Sequence, residues 1–220
     1  MKSKKNLLEQ LKLLPHFNKN TVYQLDKQLG LKDTTVDTYI SRFLKYKEIL
    51  QLKNGLYISA DFFEKNRADI SYSFYLANII RTPSYVSSWA ALQYYNLATE
   101  AIHSITSVTP KVTRDYQTKA GNFAYQSIKK DLFSDFSLAK GKPVSPAGGF
   151  NFYIASPAKA LFDLLYFRTR QFRLPAEALA KGGGVKMETI KGLIEELRID
   201  IDEMDKTEQE KFYSMIKKFI

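Results

Sequence analysis

The chain has 220 residues, 45% hydrophobic and 25% charged, proportions that support a packed core in one large domain or two modest ones. Its 33 Lys and Arg outweigh 23 Asp and Glu, and the resulting formal charge of +10 favours a polyanionic partner, with nucleic acid the first candidate. With no cysteine and only two histidines, His16 and His103, disulfides, thiolate zinc sites, cysteine nucleophiles and a three-histidine metal centre are excluded, and no cofactor is expected.

The N-terminal Met1-Lys2-Ser3-Lys4-Lys5 is basic, but an amphipathic stretch follows it rather than the apolar run of a signal peptide. No stretch approaches the ~20 apolar residues of a membrane span, so the expectation is a cytoplasmic protein with no membrane partner. The basic excess is local: residues 1–60 carry 11 basic and 5 acidic side chains, whereas 148–220 carry 12 and 11.

Leu7, Leu8, Leu11 and Leu14 form the apolar stripe of a first helix over 3–14, stopped by Pro15. Asn20 is read as the N-cap of a second helix with Val22, Leu25 and Leu29 inward and Gly30 at its end. Asp33 is read as the cap of a third helix, whose buried face is Val36, Ile40, Phe43 and Leu44. Ile49–Leu52 and Leu56–Ile58 flank Lys53-Asn54-Gly55, the pattern of a β-hairpin with a type I′ turn. Helix, helix, turn, helix and hairpin is the winged helix-turn-helix order.

A recognition helix must bury one side and offer short polar and basic groups on the other. The third helix does so with Thr34, Thr35, Thr38, Ser41, Arg42 and Lys45, and the hairpin tip adds Lys53 and Asn54 for phosphate or minor-groove contact. These eight residues are the candidate DNA contacts. Asp37 lies on the same outer face and would repel phosphate. An ordinary solvated helix face, or a protein-binding winged helix, is the plainer alternative.

Beyond a short helical connector at 60–69, the pattern becomes mixed. Helices are expected over 70–81 and after Ser87 or Ser88, with Trp89, Leu92 and Tyr95 inward. Strands are expected over 102–113, 123–128 and 150–154, then a helix opened by Ser156-Pro157 with Leu161, Leu164 and Leu165 inward, and two more near 186–197 and 207–219. The fold class is therefore α+β: an N-terminal winged helix-turn-helix over 1–60, followed by a larger mixed α/β C-terminal domain over 68–220.

Few residues suggest chemistry. Lys181-Gly182-Gly183-Gly184-Val185-Lys186 lacks the spacing of a phosphate-binding loop and reads as a connector. Asp131 and Asp135 could in principle hold Mg²⁺, but read as surface or capping groups. Asp163 is either a buried structural acid or a partner contact. Neither histidine has a sequence-level partner, and no catalytic constellation emerges, so a non-enzymatic role is expected.

Asn54-Gly55-Leu56-Tyr57, the run from Tyr85 to Leu97 (YVSSWAALQYYNL), Ser107-Val108-Thr109, Gly121-Asn122-Phe123-Ala124-Tyr125 and the run from Ile154 to Tyr166 (IASPAKALFDLLY) together resemble the AbiEi family. These are the antitoxins of bacterial abortive-infection, type IV toxin-antitoxin pairs, also described as transcriptional regulators of viral defence. The resemblance spans about residues 20 to 167; Ala158 departs from it, since the family tends to carry Glu there. It implies that the N-terminal winged helix binds inverted repeats in its own promoter and represses the operon. It also implies that the C-terminal domain neutralises a nucleotidyltransferase-like toxin encoded nearby. The competing readings are a nucleic-acid-processing enzyme with Asp131, Asp135 or Asp163 on metal, and a ligand-responsive transcription factor.

Overall fold

In the computed structural model the described residues are 2–30, 34–101, 103–141, 143–144, 148–169 and 185–219, with residues 2–5, 34–35, 143–144 and 148 described in backbone only. Among them the fold is mixed α+β. The first part runs α1 (Lys2–Leu11), β1 (Phe17–Asn18), α2 (Lys19–Gln28), α3 (Thr34–Lys45), β2 (Ile49–Lys53) and β3 (Leu56–Ser59). Asp33, read as the cap of α3, lies outside the described residues.

The cap of α2 is Asn18 rather than Asn20. Its side chain accepts from the Thr21 N–H at 2.9 Å, and Thr21 completes a capping box. The helix starts two residues early because Phe17 and Asn18 pair with Tyr57 and Leu56, making a sheet of order β1-β3-β2. In the hairpin turn only Gly55 of the Asn-Gly pair is left-handed (φ 75°), and the register shifts between Gln51 and Lys53. The turn is therefore not type I′, which requires positive φ at both residues.

Alternation along β3 buries it on both faces. Tyr57 joins Leu7, Leu11, Phe17, Val22, Val36 and Phe43 in a small core. Leu56 and Ile58 join the larger core of the second part, together with Leu52 and Phe62. The hairpin is thus packed between two cores.

The second part begins with α4 (Ala60–Asn66) and α5 (Ile70–Ile80), then β4 (Tyr85–Val86), α6 (Ser88–Tyr94), β5 (Ile105–Thr109), β6 (Arg114–Thr118) and β7 (Gly121–Ser127). A 3₁₀ turn (Lys130–Leu132) leads to β8 (Phe136–Ala139), β9 (Pro143–Val144), β10 (Gly148–Gly149) and β11 (Phe152–Ala155). Helices α7 (Pro157–Arg168), α8 (Met187–Glu196) and α9 (Lys206–Ile216) follow. The main sheet has the order β6-β7-β5-β4-β11-β8, with β5 parallel to β7 and β4 parallel to β11. Strands β4, β6 and β8 were not expected from the sequence; β4 is only two residues long and sits mid-sheet.

The sheet is covered on both faces. The Tyr125 hydroxyl donates to the Ala77 carbonyl of α5 at 2.6 Å, whereas Tyr85, in register with Val108 and through it with Gln126, points to the opposite face and α7. Helix α7 starts where Ser156-Pro157 places it: the Ser156 hydroxyl accepts from the Lys159 N–H at 3.3 Å.

Candidate nucleic-acid interface

Helix α3 buries Val36, Ile40 and Phe43 in the small core and turns Asp37, Thr38, Ser41, Arg42 and Lys45 to solvent. Among the described residues, Thr38, Ser41, Arg42 and Lys45 make no side-chain hydrogen bond or ion pair, so their donors are available to a ligand. Asp37 does not stand alone on this face. Nζ of Lys19, from the first turn of α2, lies 2.6 Å from its Oδ1, and this ion pair holds the Lys19 ammonium above its ordinary pKa. The local negative charge is offset by a residue 18 positions earlier in the chain.

The hairpin tip is divided. Asn54 is exposed, but the Lys53 ammonium donates to the Ile80 carbonyl at 2.6 Å. Ile80 is the last residue of α5, so Lys53 places a cation against a helix C-terminus, where the carbonyl dipoles attract it. Of the eight expected contacts, the structure brings Thr38, Ser41, Arg42 and Lys45 onto one helix face, keeps Asn54 at the turn, and draws Lys53 toward the second part.

The two parts are joined by polar contacts as well as by the hairpin. The Tyr72 hydroxyl donates to the Pro15 carbonyl at 2.7 Å, and the Tyr75 hydroxyl lies 2.6 Å from Nδ1 of His16. Burial holds the His16 pKa below its ordinary value, and a neutral imidazole nitrogen is an acceptor for Tyr75. His103 lies exposed beyond the start of β5's approach, its carbonyl accepting from Asn122.

No family model matches the sequence, and no curated protein matches it significantly.

The carboxylates considered for chemistry have other company. Asp163 is fully buried on α7; its Oδ1 lies 2.5 Å from Nζ of Lys159, itself 2% exposed, and its Oδ2 accepts from Ser87 at 2.7 Å and Tyr85 at 3.0 Å. Burial pushes the Asp163 carboxyl up, against the lowering pull of Lys159, Ser87 and Tyr85. Asp135 is partly buried, yet Ser134 at 2.8 Å and Lys211 at 3.4 Å hold its pKa below the ordinary range. Among the described residues no group of three or more His, Asp or Glu is placed to hold a metal ion, and no helix is long and apolar enough to cross a membrane. Residues 181–184 of the glycine-rich run lie outside the described residues.

Sequence reasoning missed Lys159, Glu208 and Ser87. One signal was present: Lys159 and Asp163 are four apart in a helix that is otherwise apolar from Ala158 to Phe167, which leaves a charged pair no exposed face of its own. The Glu208 carboxylate of α9 accepts from the Ala158 N–H at 2.9 Å, at the positive end of α7.

Proposed function

We propose that the chain is a DNA-binding autorepressor with antitoxin activity. Its first 60 residues are read as a winged helix-turn-helix, with α2 and α3 as the helix pair, β2 and β3 as the wing, and α3 as the recognition helix. The observation that carries this reading is the outer face of α3, where Thr38, Ser41, Arg42 and Lys45 stand together with their donors free and Asp37 paired to Lys19. Arg42 has the planar fork for a guanine edge or a phosphate, and Lys45 the point charge for the backbone. The partner is double-stranded DNA, specifically inverted repeats in the protein's own promoter.

The antitoxin half rests on the resemblance to the AbiEi family: the second part neutralises a nucleotidyltransferase-like toxin encoded nearby, without catalysis of its own. The buried ion pair of Asp163 favours this over a metal-dependent enzyme, because both carboxylate oxygens are already engaged by protein donors.

Titration of the upstream DNA with the full chain at several salt concentrations tests the first half: log affinity falls linearly with log salt as neutralised phosphates release counterions. Undetectable or salt-independent binding rejects it. Co-expression of the full chain with the adjacent toxin tests the second half, and failure to rescue growth rejects that. The full chain is the molecule to use, since Leu52, Leu56, Ile58 and Phe62 complete the core of the second part.

A further inference from the structure

The two edges of the main sheet are not alike. Strand β6 lies beside β2 of the hairpin, with Leu50, Gln51, Gln117 and Thr118 lining the groove between them. Strand β8, at the other end, pairs only with β11 among the described residues. Two contacts fix which of its main-chain groups are free. The Tyr153 N–H donates to Oδ1 of Asn78, whose amide nitrogen reaches the Ser84 carbonyl just before β4, so Tyr153 points its main chain away from β8. The Ser156 N–H donates to the Asp135 carbonyl, toward β8. Successive residues of a strand turn their N–H and C=O groups to opposite sides. Ser137 and Ala139, in register with Ile154 and Phe152, therefore bond to β11, whereas Phe136 and Leu138 turn their groups outward. Among the described residues neither Phe136 nor Leu138 has a main-chain partner on that outer side.

The side chains at this edge are apolar. Leu138 is 53% exposed and stands in register with Tyr153, itself 45% exposed. Phe136 shares their face: its ring meets Tyr153 edge-on at 5.9 Å and stacks on Tyr85 at 4.6 Å. Free edges are ordinarily blunted by lysine or proline within the strand, because unpaired main chain beside apolar side chains recruits another strand. Here the exposed middle of the strand is Ser137 and Leu138, and the charges stand at its ends, Asp135 before it and Lys140 after it.

Those end charges select the occupant. A second copy of β8 laid antiparallel brings Asp135 of each chain toward Lys140 of the other, whereas a parallel copy brings like charges together. Asp135 also pairs with Lys211, but at 3.4 Å and with both side chains partly exposed, which leaves room for a second cation. Only residues with outward main-chain groups can exchange hydrogen bonds, so the antiparallel register that uses both Phe136 and Leu138 has its two-fold axis at Ser137. Phe136 of each copy then opposes Leu138 of the other, and each exposed Leu138 is covered between Tyr153 of its own chain and the partner's Phe136. We propose that the protein forms a two-fold dimer by antiparallel pairing of β8, joining two six-stranded sheets into one continuous sheet. Its axis has the symmetry of the inverted repeats proposed above, and the pairing itself does not depend on the DNA reading.

The chain has no cysteine, so an introduced thiol reports on one position alone. In this register the two Ser137 residues form a non-hydrogen-bonded pair with Cα atoms ~4.5 Å apart, within reach of a disulfide. Under mild oxidation the full chain carrying Ser137→Cys forms a covalent dimer about tenfold faster than one carrying Ala68→Cys, an exposed control in the turn between α4 and α5. Sedimentation of the unsubstituted chain without DNA shows monomer giving way to dimer between ~1 and ~100 μM, as suits a small interface. Leu138→Lys abolishes the dimer and leaves the melting temperature of the monomer unchanged, because Leu138 is exposed. A chain that stays monomeric throughout that range overturns the proposal and leaves the edge to an extended segment of another protein. Cross-linking of Ser137→Cys no faster than the control overturns it too. So does a dimer that Leu138→Lys leaves intact, since its interface then lies elsewhere.

Discussion

Nζ of Lys159 and Oδ1 of Asp163 lie 2.5 Å apart, one turn along α7, inside the core of the second part. Two charges buried together are tolerated because each neutralises the other and the second carboxylate oxygen receives the Ser87 and Tyr85 hydroxyls. The pair fastens α7 to β4 and to the start of α6, and so sets how the helices on this face sit against the sheet.

Removing one member should therefore cost more than removing both. Asp163→Asn leaves the Lys159 ammonium uncompensated, and urea unfolding should show a loss of ~3–5 kcal/mol. The double variant Lys159→Met, Asp163→Leu should recover much of it. Equal losses in the single and double variants would show that the ion pairing is not what holds this position.

On the α3 face, the expected effects separate by chemistry. Arg42→Ala should weaken promoter binding by ~1–3 kcal/mol if Arg42 reads a base, and Lys45→Ala should lower the salt slope by about one. Lys53→Ala should leave the slope unchanged, because its ammonium is engaged by the Ile80 carbonyl. A drop in slope for Lys53→Ala would mean that it leaves α5 to reach phosphate.

The Lys19 and Asp37 pair predicts an effect of opposite sign. Asp37→Asn removes a negative charge from the α3 face and frees Lys19, so DNA affinity at low salt should rise and its salt dependence should steepen. Lys19→Ala should do the reverse. Filter binding at two salt concentrations distinguishes them.

The contact of His16 with Tyr75 predicts a pH response at the junction of the two parts. Burial lowers the His16 pKa below its ordinary 6.5, so the unfolded chain takes up this proton first. The contribution is present above about pH 6.5 and is lost as pH falls below it through the depressed folded value. Thermal unfolding from pH 7.5 to 5 should show a decline that His16→Gln reduces, with hydrogen exchange at Tyr75 following the same profile.

At high pH the sign reverses. Burial pushes the Tyr75 and Tyr95 phenols up to about 12 and raises Tyr72, Tyr85 and Tyr125 further still. Above about pH 10 the unfolded chain releases these protons first, so stability falls with further alkalinity. Tyrosinate absorbance should then appear in two stages, the exposed tyrosines first and the buried group together with loss of helix signal. A single smooth titration would contradict the burial of these side chains.

Several local features were legible without the fold. Ser156-Pro157 opens α7 where a hydroxyl cap and a proline at the first helical position belong, and Asn54-Gly55 marks the only hairpin turn that the first part contains among the described residues. The face of α3 followed from its 3.6-residue period, since Val36, Ile40 and Phe43 are buried and Thr38, Ser41, Arg42 and Lys45 are not. What escaped were elements too short to show a period, such as β4, whose two residues hold the middle of the main sheet only through neighbours on both sides. The cap of α2 moved from Asn20 to Asn18 for a related reason: pairing of β1 with β3, some 40 residues away, fixes the extended conformation that a cap needs.

The sequence by itself determined the mixed α+β class, the concentration of positive charge in the first 60 residues, and which side of α3 faces outward, because composition and periodicity are local properties of a chain. Only the tertiary structure decided that Lys19 neutralises Asp37, that Lys53 turns to α5, and that Asp163 is held by Lys159 and by the hydroxyls of Ser87 and Tyr85. Electrostatic and hydrogen-bonding partners act over a few ångströms of space, and apart from the single-turn pair of Lys159 and Asp163, the residues that meet here lie 18 or more positions apart in the chain.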